Sequence, residues 1–335
     1  MHQFTVVLAD PKGAADFEWI APLAPELRLL APADSDPQAL AALLADADAL
    51  VTQNRAVDAA TIAAAPRLKL IQRYGSRPDG IDLAAARQAG VAVATMPLHG
   101  CIAVAELAMT LILALSKKLV RGHADTVSGA YRTLGVEPIR TEQRRHKFQW
   151  MQLPALFEVT GHTLGVLGFG EIGTETARRA RAFGMSVIYH KRTRLPESLE
   201  AAEGVTYADK ETLLRSADFV LLATPLTPET EKMIAARELA LMKPSAYLVN
   251  ICRGGVVDEE ALVAALQNRQ IAGAGLDVFV YEPIPYDHPL LLCDNVILTP
   301  HIGGGSGGAR DRQMGDVLAN VQRFARGDAL AHRVL

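Results

Sequence analysis

The stretch from Thr163 to Tyr189 constrains the fold more than any other part of the chain. Thr163–Leu167 is a short apolar run of strand character. It leads into Gly168-Phe169-Gly170-Glu171-Ile172-Gly173, then a helical stretch from Thr174 to Phe183, then a second strand at Ser186–Tyr189. Strand, G-x-G-x-x-G turn, helix and strand in that order make a βαβ unit, which requires a parallel sheet with its crossover packed on one face. Gly168 permits the tight turn, Gly170 lets the backbone approach a pyrophosphate, and Gly173 lets the helix pack closely on the strand. The helix N-terminus adds free N–H groups and a positive dipole end. The unit therefore predicts a dinucleotide site at Gly168, Phe169, Gly170, Glu171, Ile172 and Gly173.

Short apolar runs alternate with helix-length amphipathic ones through most of the chain, which implies an α/β fold with parallel sheets. Before residue 100 the strands read as Phe4–Leu8, Ala49–Thr52, Leu70–Ile71 and Val91–Ala94, with helices such as Pro37–Ala45 and Leu83–Ala89 between them. After residue 160 they read as Thr163–Leu167, Ser186–Tyr189, Phe219–Ala223, Ala246–Ile251, Ala274–Val278 and Val296–Leu298. A chain of 335 residues exceeds one ordinary core, and two such halves suit two Rossmann-like or flavodoxin-like domains with a cleft between them. Residues 130–161 break the alternation. They carry Arg140, Arg144, Arg145, His146, Phe148 and Trp150 without a period, as a functional segment or an interface arm does. Gly308 to Gly327 returns to a helical pattern with Met314, Val317, Leu318, Val321 and Phe324 on one face.

Charge and cysteine usage exclude several classes. A net charge of -3 offers no electrostatic reason for nucleic acid or anionic membrane as a partner. Cys101, Cys252 and Cys293 are too few and too scattered for a disulfide framework or a zinc site, so no metal is expected and a reducing, cytoplasmic setting is. Met1 to Leu8 has no basic run ahead of an apolar one, so no signal peptide is expected there. The apolar stretch Cys101 to Leu115 contains Glu106 and is short for a bilayer, which predicts a buried helix.

The strand after the glycine turn ends without the acid that would bind a ribose 2′-hydroxyl. His190-Lys191-Arg192-Thr193-Arg194 stands there instead. Such a cationic cluster suits the extra phosphate of NADP, which Arg192 could bind bidentately. A solvated basic loop would accept either cofactor. The reading is NADP or NAD, with NADP favoured and His190, Lys191, Arg192 and Thr193 at the nucleotide.

Three further segments, Asn250 to Asp258, Gly275 to Pro283 and Leu298 to Gly304, set polar residues just past the carboxyl ends of strands, where open α/β sheets bind ligands. Reduction of a 2-keto acid needs a cation, a proton donor and a group to hold that donor. Arg253, His301 and Glu282 supply one of each. Taken singly, an arginine before two glycines or a histidine after proline is ordinarily a cap or turn residue; their common order is what points to chemistry. Cys252 has no evident base beside it and reads as a packing residue.

These motifs together resemble the D-isomer-specific 2-hydroxyacid dehydrogenase family, whose signatures are the glycine loop, N-x-x-R-G-x-x-V-D, an acid shortly past L-D-V, and T-P-H-I-G. The similarity runs from about Leu68 to Gly304. It implies transfer of hydride between NAD(P)H and a small 2-keto or 2-hydroxy acid. Arg253 would bind the carboxylate and polarise the ketone, and His301 would be acid in reduction and base in oxidation, oriented by Glu282. Thr224, Pro225, Thr230, Ile251, Cys252, Asp277 and Gly303 would lie at the cofactor. The resemblance further implies a substrate domain of 1–98 plus 305–335, a dinucleotide domain of 99–304, and a homodimer with 122–161 as its arm.

The sequence departs from the family at Gly75-Ser76-Arg77-Pro78-Asp79-Gly80-Ile81-Asp82, the match to its carboxylate-binding loop. Arg77 replaces a glycine and Pro78 lacks an N–H. Gly75, Ser76 and Arg77 are expected at the substrate, with the Arg77 side chain either reaching a second anionic group or pointing to solvent. Two alternatives stand beside this reading. A phosphite or formate dehydrogenase could use the same scaffold, although formate oxidation leaves Glu282 and His301 without an alcohol proton to handle. A dinucleotide-sensing corepressor would need an added peptide-binding surface.

Overall fold

The structure, a computed structural model, describes residues 3–305 and 309–335. The chain divides into two compact units, Met1–Ile102 with Ser306–Leu335, and Ala103–Gly305.

In the first unit β1 (Thr5–Leu8), β2 (Arg28–Leu30), β3 (Ala49–Thr52), β4 (Leu70–Tyr74) and β5 (Ala92–Met96) form a parallel sheet in the order β2-β1-β3-β4-β5. This is the flavodoxin-like winding. β1 and β3 are buried at every position, so their side chains pack on both faces of the sheet. The helix Ala309–Arg326 covers one face, burying Met314, Val317, Leu318 and Val321 against Val6, Val51 and Leu70. Asn320 on that helix donates to Gln72 Oε1 on β4 at 2.7 Å, a satisfied polar pair inside an apolar layer. β2 is absent from the sequence reading because three residues at a sheet edge show no alternation.

The second unit winds outward from its centre. β6 (Thr163–Leu167), β7 (Ser186–His190) and β8 (Thr206–Tyr207) run to one edge. The chain then returns to β9 (Phe219–Leu222), β10 (Tyr247–Asn250), β11 (Gly273–Leu276) and β12 (Val296–Leu298) on the other side. All pairings are parallel, in the order β12-β11-β10-β9-β6-β7-β8. The order reverses between β6 and β9, and the loops leaving those two strands diverge there to open a crevice.

Aspartates start several of the helices between strands. Asp82, Asp209 and Asp258 each accept an N–H from the first turn, at 2.9, 2.9 and 3.3 Å. The helix His99–Ser116 is 18 residues long with a mean hydropathy of 1.7, long and apolar enough to cross a membrane. It extends past both ends of the expected Cys101–Leu115, and Ala108, Met109, Leu111, Ile112 and Leu115 sit in the core beside Val166 and Val249. Residues 135–162 form no helix or extended strand. Within that region Trp150 meets Tyr131 edge to face at 5.6 Å, and Phe148 is 86% exposed.

Candidate active site

The crevice begins at the turn after β6. Gly168 has φ +90°, and a Cβ there would lie 2.5 Å from the Ala223 carbonyl oxygen. Only glycine lets the turn pass beneath the loop leaving β9. A Cβ on Gly173 would meet the Gly168 carbonyl oxygen at 2.7 Å, so the helix Glu171–Ala182 rests directly on the turn. Gly170 is the opposite case, for a Cβ there would meet nothing within 4 Å. That open space in front of a twelve-residue helix N-terminus is the cradle a pyrophosphate requires, and the residues fit a dinucleotide. Phe169, Ile251 and Cys252 are buried.

The other expected cofactor residues divide into two groups. Arg192 and Thr193 are exposed after β7, and Lys191 is half-buried beside them. His190 Nδ1 lies 3.1 Å from the Ala208 carbonyl oxygen. Arg194 does not join the cationic cluster, because its Nε and Nη2 donate to both oxygens of Glu200 at 2.9 and 2.7 Å. Thr230 is likewise turned inward. Its hydroxyl donates to the Pro225 carbonyl at 2.6 Å and accepts the Thr227 N–H at 2.8 Å, which shapes the loop presenting Thr224 and Pro225.

Arg253, Glu282 and His301 come from the loops after β10, β11 and β12. Asn250 sets the first of these, donating through Nδ2 to the Arg253 carbonyl at 3.0 Å and accepting the Cys252 N–H at 3.1 Å. A Cβ on Gly254 would lie 1.9 Å from the Phe279 carbonyl carbon, so this loop lies directly on the backbone leading to Glu282. Arg253 is exposed, its Nη1 donating to the neighbouring Cys252 carbonyl at 2.6 Å. Glu282 Oε1 accepts the Phe279 N–H at 3.0 Å, and Oε2 lies 2.6 Å from His301 Nδ1. The hydrogen bond from His301 holds the Glu282 carboxyl below its ordinary range, against partial desolvation, with the Phe279 N–H and the Arg253 charge adding to the effect. An ionised carboxylate only accepts, so Nδ1 carries hydrogen and Nε2 is the ring nitrogen left for a reactant.

His301 holds φ +53°, the left-handed region that a non-glycine residue adopts only under constraint. Asp277 supplies that constraint. Its Oδ1 accepts the Thr299 hydroxyl at 2.6 Å and the Ile302 N–H at 2.9 Å, and its Oδ2 accepts the Gly303 N–H at 2.9 Å. The sequence reading set Asp277 and Gly303 against the cofactor. In the structure the buried Asp277 carboxylate and the Gly303 N–H are engaged with each other, and they shape the loop that carries His301. Cys252 is buried: burial pushes its thiol up, and its Sγ lies 3.1 Å from Asn250 Oδ1. Among the described residues no three His, Cys, Asp or Glu side chains converge to hold a metal.

In the first unit the Gly75 N–H is spent on the Met96 carbonyl at 2.8 Å, so it is not available to grip a carboxylate. Arg77 does not point to solvent. It is 2% exposed, with Nε and Nη2 on the two oxygens of Asp79 at 3.2 and 2.5 Å.

A model of the D-isomer-specific 2-hydroxyacid dehydrogenase NAD-binding domain matches residues 109–303, a span that contains the glycine turn and the Arg253–Glu282–His301 set. The chain belongs to this family. A glyoxylate reductase of Thermococcus gammatolerans is 42% identical over 285 residues, 84% of this chain and 81% of its own. The solved glyoxylate reductase from Paecilomyes thermophila is 30% identical with a TM-score of 0.57, covering 100% of this chain and 99% of that one. An acyclic imino acid reductase in complex with NADPH and D-Arg is 25% identical with a TM-score of 0.54, covering 99% and 100%. The dehydrogenase is thus an NAD(P)-dependent enzyme acting on the CH–OH group of 2-hydroxy acids or, in reverse, on 2-keto acids.

Sequence reasoning about this dehydrogenase missed the inward work of Asp277, Asn250 and Glu200. All three were visible as polar residues near motifs, but spacing carries no information about which way a carboxylate or amide turns.

Proposed function

We propose that this dehydrogenase reduces glyoxylate or a similarly small 2-keto acid, with NADPH preferred to NADH. The observation that carries the reading is the 2.6 Å contact between His301 Nδ1 and an ionised Glu282, with Arg253 on the adjoining loop. A bound nicotinamide dinucleotide supplies the hydride. Glu282 fixes the ring so that Nε2–H of His301 delivers the proton to the carbonyl oxygen, and in the oxidative direction the neutral ring takes it back. Arg253 holds the substrate carboxylate and stabilises charge developing on the oxygen, a contribution on the order of 3 kcal/mol for one well-placed donor.

The names of the relatives support glyoxylate as the substrate. The absence of an acid at the end of β7, with Lys191 and Arg192 following, supports NADPH. Ser76 and Arg77 take the substrate through their backbone in this reading, while the Arg77–Asp79 pair holds their loop in shape. Formate or phosphite chemistry ranks below it, because formate oxidation leaves the Glu282–His301 pair without a proton to move. The enzyme is read as a cytoplasmic homodimer with 122–161 as its arm. Exposed Val120, Val127 and Phe148 supply the apolar surface.

The test is oxidation of NADPH and NADH with glyoxylate, hydroxypyruvate, pyruvate and phenylpyruvate. Turnover should be fastest on the smallest acids, show a lower KM for NADPH, and be lost in Arg253→Ala. Activity confined to bulky keto acids, or a lower KM for NADH, would refute the corresponding half of the proposal.

A further inference from the structure

We infer that Tyr189 and Glu200 are positioning residues for cofactor choice: they buckle the loop after β7 so that Lys191, Arg192 and Thr193, and not Arg194, are presented to the nucleotide. The inference rests on the NADP reading above and explains how that loop is held.

Tyr189 is the penultimate residue of β7 and is fully buried. Its ring lies 4.6 Å from that of Phe169 in the glycine turn and meets Tyr207 edge-on at 5.6 Å. The hydroxyl donates to Glu200 Oε1 at 2.7 Å and accepts the Leu195 N–H at 2.9 Å. Glu200, buried on the helix Glu197–Glu203, takes Arg194 with both oxygens. Hydroxyl, carboxylate, guanidinium and backbone N–H therefore close on one another and lock the far end of the loop at residues 194–195. The near end is held where the Gly168 N–H donates to the His190 carbonyl at 2.9 Å. Residues 191–193 span the interval between two fixed ends.

The chemistry of the clamp matters as much as its geometry. An acid that faced the ribose here would repel a 2′-phosphate. The acid nearest to this loop in sequence after Glu197 is Glu200, and it is turned inward and neutralised by Arg194. Arg194 and Tyr189 hold Glu200 down to about 2, and burial together with Glu200 pushes Tyr189 up to about 12, so the donor stays protonated and the acceptor charged. Arg192 is exposed. Glu229, on the loop after β9, is held below its ordinary range first by the Thr227 hydroxyl and also by the charge of Arg192.

Two variants test this. Tyr189→Phe keeps the ring and its aromatic neighbours but deletes the hydroxyl that joins Leu195 to Glu200. Glu200→Gln keeps an acceptor but releases Arg194. Steady-state kinetics with glyoxylate should show KM for NADPH raised about tenfold in each, with KM for NADH changed less than about twofold and kcat at saturating cofactor unchanged. If Arg194 were instead a phosphate ligand held in reserve, Glu200→Gln would lower KM for NADPH, and that result would overturn the inference. Parallel changes for both cofactors, or no change in their ratio, would also overturn it by leaving the clamp a purely structural role. A wild-type enzyme with the lower KM for NADH would remove the NADP reading itself, a failure visible before either variant is made.

Discussion

At the scale of single residues, the site depends on side chains that hold other side chains. His301 is placed by Glu282 from one side and, through the backbone of residues 299–303, by Asp277 from the other. Replacing Glu282 by Gln leaves an acceptor of the same size but no charge to fix Nδ1–H, and kcat for reduction should fall roughly ten- to a hundred-fold. The Glu282 carboxyl is depressed below its ordinary value of 4.5. Its pairing with His301 is therefore present above that value and is lost only as pH falls through the lower one. The reductive kcat/KM of the wild type should hold steady as pH is lowered through 4.5, provided the fold survives. An acid limb centred at or above 4.5 that disappears in Glu282→Gln would show the carboxyl to be unshifted and would count against the pairing. That Arg253, Glu282 and His301 would lie near one another was legible from motif order. The role of Asp277 was not, because a carboxylate after a strand can face a ligand or its own neighbouring loop, and only the fold decides between them.

At the scale of elements, glycines rather than polar groups set the distances between loops. Gly168 sits under the Ala223 carbonyl, and Gly254 sits on the Phe279 backbone. Gly254→Ala cannot be accommodated by a side-chain rotation, because the contact is backbone to Cβ. It should destabilise the fold by about 1–3 kcal/mol and push Arg253 away from Glu282, lowering kcat/KM as well. Chemical denaturation beside glyoxylate kinetics would check both effects, and a variant with wild-type stability and activity would show that the loop packing is loose. Nearly every central strand was readable from its apolar run, because parallel strands buried on both faces give continuous hydrophobic stretches. The edge strands Arg28–Leu30 and Thr206–Tyr207 were missed, since they are short and partly exposed. The helix Glu171–Ala182 starts three residues before the sequence reading began it, within the glycine turn, where glycine content masks helical character.

At the scale of the whole molecule, each unit encloses its own apolar clusters, and the first is completed by the chain's last helix. A chain that returns to its first domain in this way couples the folding of residues distant in sequence. The separation into two units followed from length and repeated alternation. The role of residues 122–161 did not: Val159 and Phe157 pack into the core near its end, but over residues 130–161 the sequence shows no period and offers only composition. Val120 and Val127 lie seven residues apart on the helix Leu119–Ser128 and are 53% and 75% exposed. Sedimentation should give a dimer, and Val120→Asp with Val127→Asp should shift it to monomer; a wild type that sediments as a monomer at micromolar concentration would refute the assembly.

In the proposed mechanism His301 is the proton donor and is not needed to bind cofactor. Single-turnover reduction of glyoxylate by His301→Ala, preloaded with NADPH and monitored at the nicotinamide absorbance, tests it most directly. NADPH affinity should stay within about twofold of wild type, and the turnover rate should fall by roughly 10²- to 10⁴-fold. A rate within tenfold of wild type would contradict it and assign the proton to another group.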